Sequence, residues 1–124
     1  MRKTYLALFV ACLVASGLDA LITYKTLVVE RVPQLCEGNP NVARVLAMSS
    51  PLREATLALM VAGASAGVNI TGYVLYLIAR RLGLDAQLGK KVPAIIGVMP
   101  PLIYSTAEAY TVIHNIMLYL AYAG

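Results

Sequence analysis

Two carboxylates, Asp19 and Glu108, stand inside long apolar runs of this sequence. A charged side chain at the centre of a bilayer costs about 2.5 to 3.5 kcal/mol on insertion scales, so each needs partners. Helical spacing supplies candidates. Ser16, Asp19, Thr23 and Thr26 share one face of a first helix. Ser65, Asn69 and Tyr76 share one face of a second, and Tyr104, Glu108, Thr111 and Asn115 one face of a third. Three polar stripes predict a hydrogen-bonded interior seam built from Asp19, Thr23, Asn69, Glu108, Thr111 and Asn115. Its chemistry would be that of a proton or cation site in which the two acids titrate or bind an ion. The alternative, favoured on sequence alone, is packing glue between helices, with one or both acids protonated or hydrogen-bonded.

Other groups carry less. His114 lies about 240° around its helix from Glu108, so the two are not a ligand pair. Nor does the spacing of Glu37 or any other residue specify a metal. The sequence has no nucleophile and base arrangement, phosphate loop or redox cofactor box, so no catalytic residue, metal or enzyme activity is expected. Cys12 lies in an apolar run and Cys36 in the longest polar stretch, and no disulfide is expected between them. Gly63 and Gly67 form a GxxxG, a spacing that lets helix backbones approach closely, either within the chain or between copies. Arg80, Arg81, Lys90 and Lys91 surround a single Asp85 in a short basic segment. Such a segment anchors a membrane hairpin, or meets polyanions such as lipid phosphates or a nucleic acid backbone without base readout.

The elements that position these groups follow from composition. Of 124 residues, 60% are hydrophobic and 13% charged, with a net charge of +4. Ordinary globular chains are about 25% charged. Together with a mean hydropathy of +0.74, this excludes a water-soluble monomer, a nucleotide-binding enzyme, a disulfide-stapled secreted module and a disordered tail. The expected fold is all-α: a single hydrophobic domain over 1–124, of the integral membrane type, with long helices at about 4–29, 55–79 and 92–122. The first is read as a retained helix rather than a cleaved signal. Residues 55–79 carry no charge and span roughly 37 Å as a helix, enough for a hydrocarbon core of about 30 Å. Pro100 and Pro101 predict a break or kink in the third helix near Met99. Residues 30–54 form a first loop and 80–91 the basic loop of a helical hairpin. Lys and Arg number two before the first span, three in the first loop and four in the basic loop, which predicts the N-terminus and residues 80–91 on the cytoplasmic side. Tyr5, Tyr73 and Tyr76 then fall at the inner interface, and Tyr24, Tyr119 and Tyr122 at the outer one.

The run Asp19, Ala20, Leu21, Ile22, Thr23 followed by Glu37, Gly38, Asn39, Pro40 resembles the Asp-x-x-x-Thr and Glu-x-Asn-Pro signature of a family of small, mostly archaeal membrane proteins of unknown function. The apolar helix at 55–79, basic loop at 80–91 and apolar helix at 92–122 resemble conjugation-type pilins, including those of the archaeal DNA-import apparatus. That likeness is one of architecture, and it implies a filament subunit extracted from the membrane with bound lipid. Its basic loop of Arg80, Arg81, Lys90 and Lys91 would line a lumen that passes single-stranded DNA without sequence readout. The expected partners are then copies of the chain itself, membrane lipid and DNA; the expected location is the cell membrane and an extracellular filament. No cofactor is expected beyond bound membrane lipid. A small chain so rich in apolar residues needs an external surface against which to bury them, which favours the filament subunit. The alternatives are an accessory subunit of a larger membrane complex, and a proton- or cation-handling protein using Asp19 and Glu108.

Overall fold

The computed structural model describes residues 2–122, which are all-helical with no strand among them. Helix α1 (Arg2–Tyr24) runs into a π-helical turn (Lys25–Val29). The chain reverses there: Val32 donates its N–H to the Thr26 carbonyl at 3.0 Å, and Arg31 adopts a left-handed φ of 51°. Short α2 (Pro40–Leu46) has proline in its first turn, where a missing N–H costs nothing, and Asn39 caps it by accepting from the Asn41 N–H at 3.0 Å. Helix α3 (Leu52–Arg81) ends on Arg80 and Arg81, whose charges suit a helix C-terminus. Gly83, at φ 75°, turns the chain into α4 (Leu84–Leu88), and α5 (Val92–Tyr122) completes the fold.

The three long helices pack against one another as a bundle. Small and polar residues face inward: Cys12, Ser16, Ser65, Asn69, Gly72 and Gly97 are buried. Bulky ones face outward, among them Leu59 at 73% exposed and Ile70 at 63%. This inversion of the soluble pattern is that of helices packed by close backbone approach in an apolar solvent. The tightest approach is at Gly72 and Gly97, where a β-carbon on Gly72 would collide with the Gly97 carbonyl oxygen and one on Gly97 would lie 2.7 Å from Tyr76 Cβ.

Several expectations are corrected here. Both stretches read as loops contain helix, α2 within 30–54 and α4 within 80–91. The third helix is not broken near Met99; Pro100 and Pro101 lie inside one continuous α5. Pro101 has no N–H for the Gly97 carbonyl four residues back, and that carbonyl instead faces Gly72, where the missing side chain leaves room for a weak Cα–H contact. Finally, two helical segments rather than three are long and apolar enough to cross a membrane, Arg2–Val29 and Leu52–Arg81. Helix α5 is as long, but three prolines, Glu108, His114 and Asn115 interrupt its apolar runs.

Candidate functional site

The facing stripes of α1 and α5 meet about Asp19. Its Oδ1 accepts a hydrogen bond from Asn115 Nδ2 at 2.8 Å. The carboxyl groups of Asp19 and Glu108 line one cavity, and Glu108 Oε2 is buried and has no donor. One helical turn deeper, Ser16 donates to the Cys12 carbonyl at 2.6 Å and lies 3.3 Å from the Ser65 hydroxyl. Cys12 Sγ donates to the Pro101 carbonyl at 3.4 Å, and Asn69 Nδ2 donates to the Ser65 carbonyl at 2.8 Å. The polar groups thus form a column through all three helices, with the two carboxyl groups at its wider end.

That end opens into two adjoining cavities. A deep chamber of about 370 Å³ lies among Ser16, Met60, Tyr104 and Glu108, and a loop-side chamber of about 270 Å³ among Thr26, Cys36, His114 and Asn115. Asp19, Thr23, Glu37 and Thr111 line both. Glu37 reaches the chambers from the loop between α1 and α2, where its Oε1 accepts from the Asn39 N–H at 2.9 Å. The Glu-x-Asn-Pro run therefore has a local role: Glu37 holds Asn39, and Asn39 and Pro40 start α2.

The electrostatics of the chambers are one-sided. Among the described residues the one ion pair is Arg53 to Glu54, at 3.1 Å, away from both chambers. Lys25 sits over the Tyr119 ring, 5.0 Å from its centroid. Asp19, Glu37 and Glu108 thus face the chambers without a cationic neighbour. Among the described residues, no three His, Cys, Asp or Glu side chains converge to hold a metal ion. Comparison with protein families, characterised proteins and solved structures finds no match to this chain.

The remaining residues singled out from the sequence are dispersed. Asn69 belongs to the column but not to the carboxyl pair, and the Thr111 hydroxyl donates to the Ala107 carbonyl of its own helix at 3.0 Å. His114 is exposed and stacks on Tyr110, with ring centroids 6.5 Å apart. Gly63 and Gly67 face outward, with open space where a β-carbon would be. Arg80, Arg81, Lys90 and Lys91 are exposed at the opposite end of the bundle from the chambers. At the chamber end, Tyr24 donates to Glu54 Oε1 and Ser50 to Glu54 Oε2, both at 2.7 Å. Neither that cluster nor the place of Glu37 on the chamber wall follows from side-chain spacing, although the Glu-x-Asn-Pro run is a signal for the latter.

Proposed function

We propose that this chain is a small integral membrane protein that exchanges a proton or a small cation through the Asp19 and Glu108 pair. The observation that carries this reading is the buried Glu108 Oε2, without a donor, on a carboxyl group that lines the same cavity as Asp19. Two carboxylates on the wall of one cavity, at the depth of an apolar segment, cannot both remain charged without a counter-ion. The pair therefore holds a proton between them or a cation beside them, and the chambers give that ion a way in. In this reading α5 lies in the bilayer beside Arg2–Val29 and Leu52–Arg81, making three spans. The chamber end faces outward, and the N-terminus and residues 80–91 face the cytoplasm, as the charge distribution favours.

The test is reconstitution of the full chain into vesicles with a pH-sensitive dye and an imposed pH gradient. Asp19→Asn and Glu108→Gln keep hydrogen-bonding capacity but cannot exchange a proton. Each is expected to slow dissipation of the gradient by at least about tenfold, relative to the wild-type rate above empty vesicles, with helix content unchanged; this corresponds to about 1.4 kcal/mol in the barrier. Equal rates for all three proteins would return the pair to a packing role.

A second reading, a subunit of a lipid-containing filament, is favoured by the outward-facing Gly63 and Gly67, which leave a flat strip on α3 for another copy. In such a filament, exposed Arg80, Arg81, Lys90 and Lys91 would meet lipid phosphates and border a conduit for single-stranded DNA. Self-assembly and ion exchange use opposite faces of α3 and are compatible.

A further inference from the structure

We infer that the loop-side chamber is a binding site for a small primary or secondary organic ammonium ion. The inference rests on the reading of the polar interior as a cation site, but concerns the chamber beside the carboxyl pair rather than proton exchange by the pair itself.

The first observation is Thr26. Threonines 56, 71 and 111 all donate their hydroxyls to the carbonyl four residues back, at 2.7, 2.8 and 3.0 Å. Thr26, in the π-helical turn, does not: it is 6% exposed, lines the loop-side chamber, and its Oγ1 has no hydrogen-bond partner. A buried hydroxyl without a partner is unfavourable, and a ligand in the chamber would remove that cost.

The second observation is the chamber's chemistry. Asp19 and Glu37 contribute carboxylates, and Asn115 has its amide N–H engaged by Asp19 and its carbonyl oxygen to offer. Acceptors therefore outnumber free donors, and neither Lys nor Arg lines the chamber. Ile22, Leu27, Leu35 and Leu118 give the wall an aliphatic part, and Thr23, Cys36, Gly38, Thr111 and His114 complete it. A bare inorganic cation asks for oxygen ligands on every side, whereas four aliphatic side chains occupy part of this wall. An alkylammonium ion fits both halves, with its N–H groups toward Asp19 and Thr26 and its alkyl part against the leucines. About 270 Å³ corresponds to the volume of roughly nine waters, which suits an ion of several heavy atoms.

The protein carries its own reporter. Cys36 is exposed and lines the same chamber, whereas Cys12 is fully buried. The experiment measures the rate of Cys36 alkylation by iodoacetamide in the full chain in lipid nanodiscs, with butylammonium, tetramethylammonium or sodium chloride added at equal ionic strength. Butylammonium is expected to slow alkylation saturably. Tetramethylammonium, which has no N–H, and sodium are expected not to. Asp19→Asn and Thr26→Val should each raise the half-effect concentration about tenfold, and Thr26→Ser should restore the wild-type value, which separates loss of the hydroxyl from loss of the fold. Glu108→Gln should keep the protection while losing proton flux, so the two readings fail separately. Protection by sodium or tetramethylammonium equal to that by butylammonium, no protection by any of them, or protection unchanged in Thr26→Val would overturn the site.

Discussion

Asn115 and Thr111 sit one helical turn apart beside Asp19, yet their side chains do different things. The Asn115 amide reaches across to Asp19, whereas the Thr111 hydroxyl is engaged by the Ala107 carbonyl of its own helix. Replacing Asn115 by Leu leaves a half-buried carboxylate without that donor, while replacing Thr111 by Val removes a bond the helix backbone does not need. Hydrogen bonds between membrane helices average about 0.6 kcal/mol and reach about 1.7, and an acceptor left unpaired adds a cost. Asn115→Leu is therefore expected to lower stability by about 1 to 2 kcal/mol and Thr111→Val by less than about 0.5, both measured by denaturant unfolding in detergent micelles. Equal losses would mean that the seam acts through packing volume rather than through the hydrogen bond to Asp19.

At the scale of helices, the crossing of α3 and α5 depends on two glycines whose side-chain space is filled by the facing helix and, at Gly97, also by Tyr5 of α1. A β-carbon on Gly72 would meet the Gly97 carbonyl and would lie 3.1 Å from Pro101 Cδ, whereas one on Gly63 meets nothing within 4 Å. Gly72→Ala is therefore expected to destabilise the bundle by about 1 to 3 kcal/mol through overpacking. Gly63→Ala is expected to stabilise the monomer by about 0.5 to 1 kcal/mol, because alanine restricts the unfolded chain more than glycine does. Thermal unfolding of the two variants in the same detergent checks both signs. The uncharged run 55–79 and the three polar stripes made the long helices and an interior seam containing Asp19, Glu108 and Asn115 legible from sequence, since both follow from helical period, whereas the sharing of one cavity by the two acids was not. The continuity of α5 was not legible, because it depends on a neighbouring helix, here at Gly72, that leaves room for the freed Gly97 carbonyl. The chamber walls were hidden for a related reason. Glu37 arrives from a loop whose path is set by the turn at 25–32, and Thr26 is left without a partner by a π register that side-chain spacing does not reveal.

The whole molecule exposes 8138 Å², against about 6,400 Å² for a folded soluble monomer of its mass. Much of that surface is aliphatic: Leu6, Leu21, Leu59, Ile70, Met117 and Leu120 are each more than 60% exposed, and they are spread over the three long helices. Such a surface needs an apolar solvent or further copies of the chain, and the two leave different marks. Lipid covers any aliphatic surface evenly, whereas a second helix is favoured where backbones can approach, which on the outer face of α3 is the strip at Gly63 and Gly67. Copies of the chain labelled with donor and acceptor fluorophores and diluted with lipid in vesicles would measure this. Energy transfer is expected to fall with dilution as an association equilibrium. The double variant Gly63→Leu, Gly67→Leu is expected to lose that transfer while retaining the wild-type rate of pH-gradient dissipation, because its substitutions point away from Asp19 and Glu108. Transfer unchanged in the double variant would exclude this strip as the contact between copies. Loss of gradient dissipation together with transfer would mean instead that the carboxyl pair works only in the assembled protein.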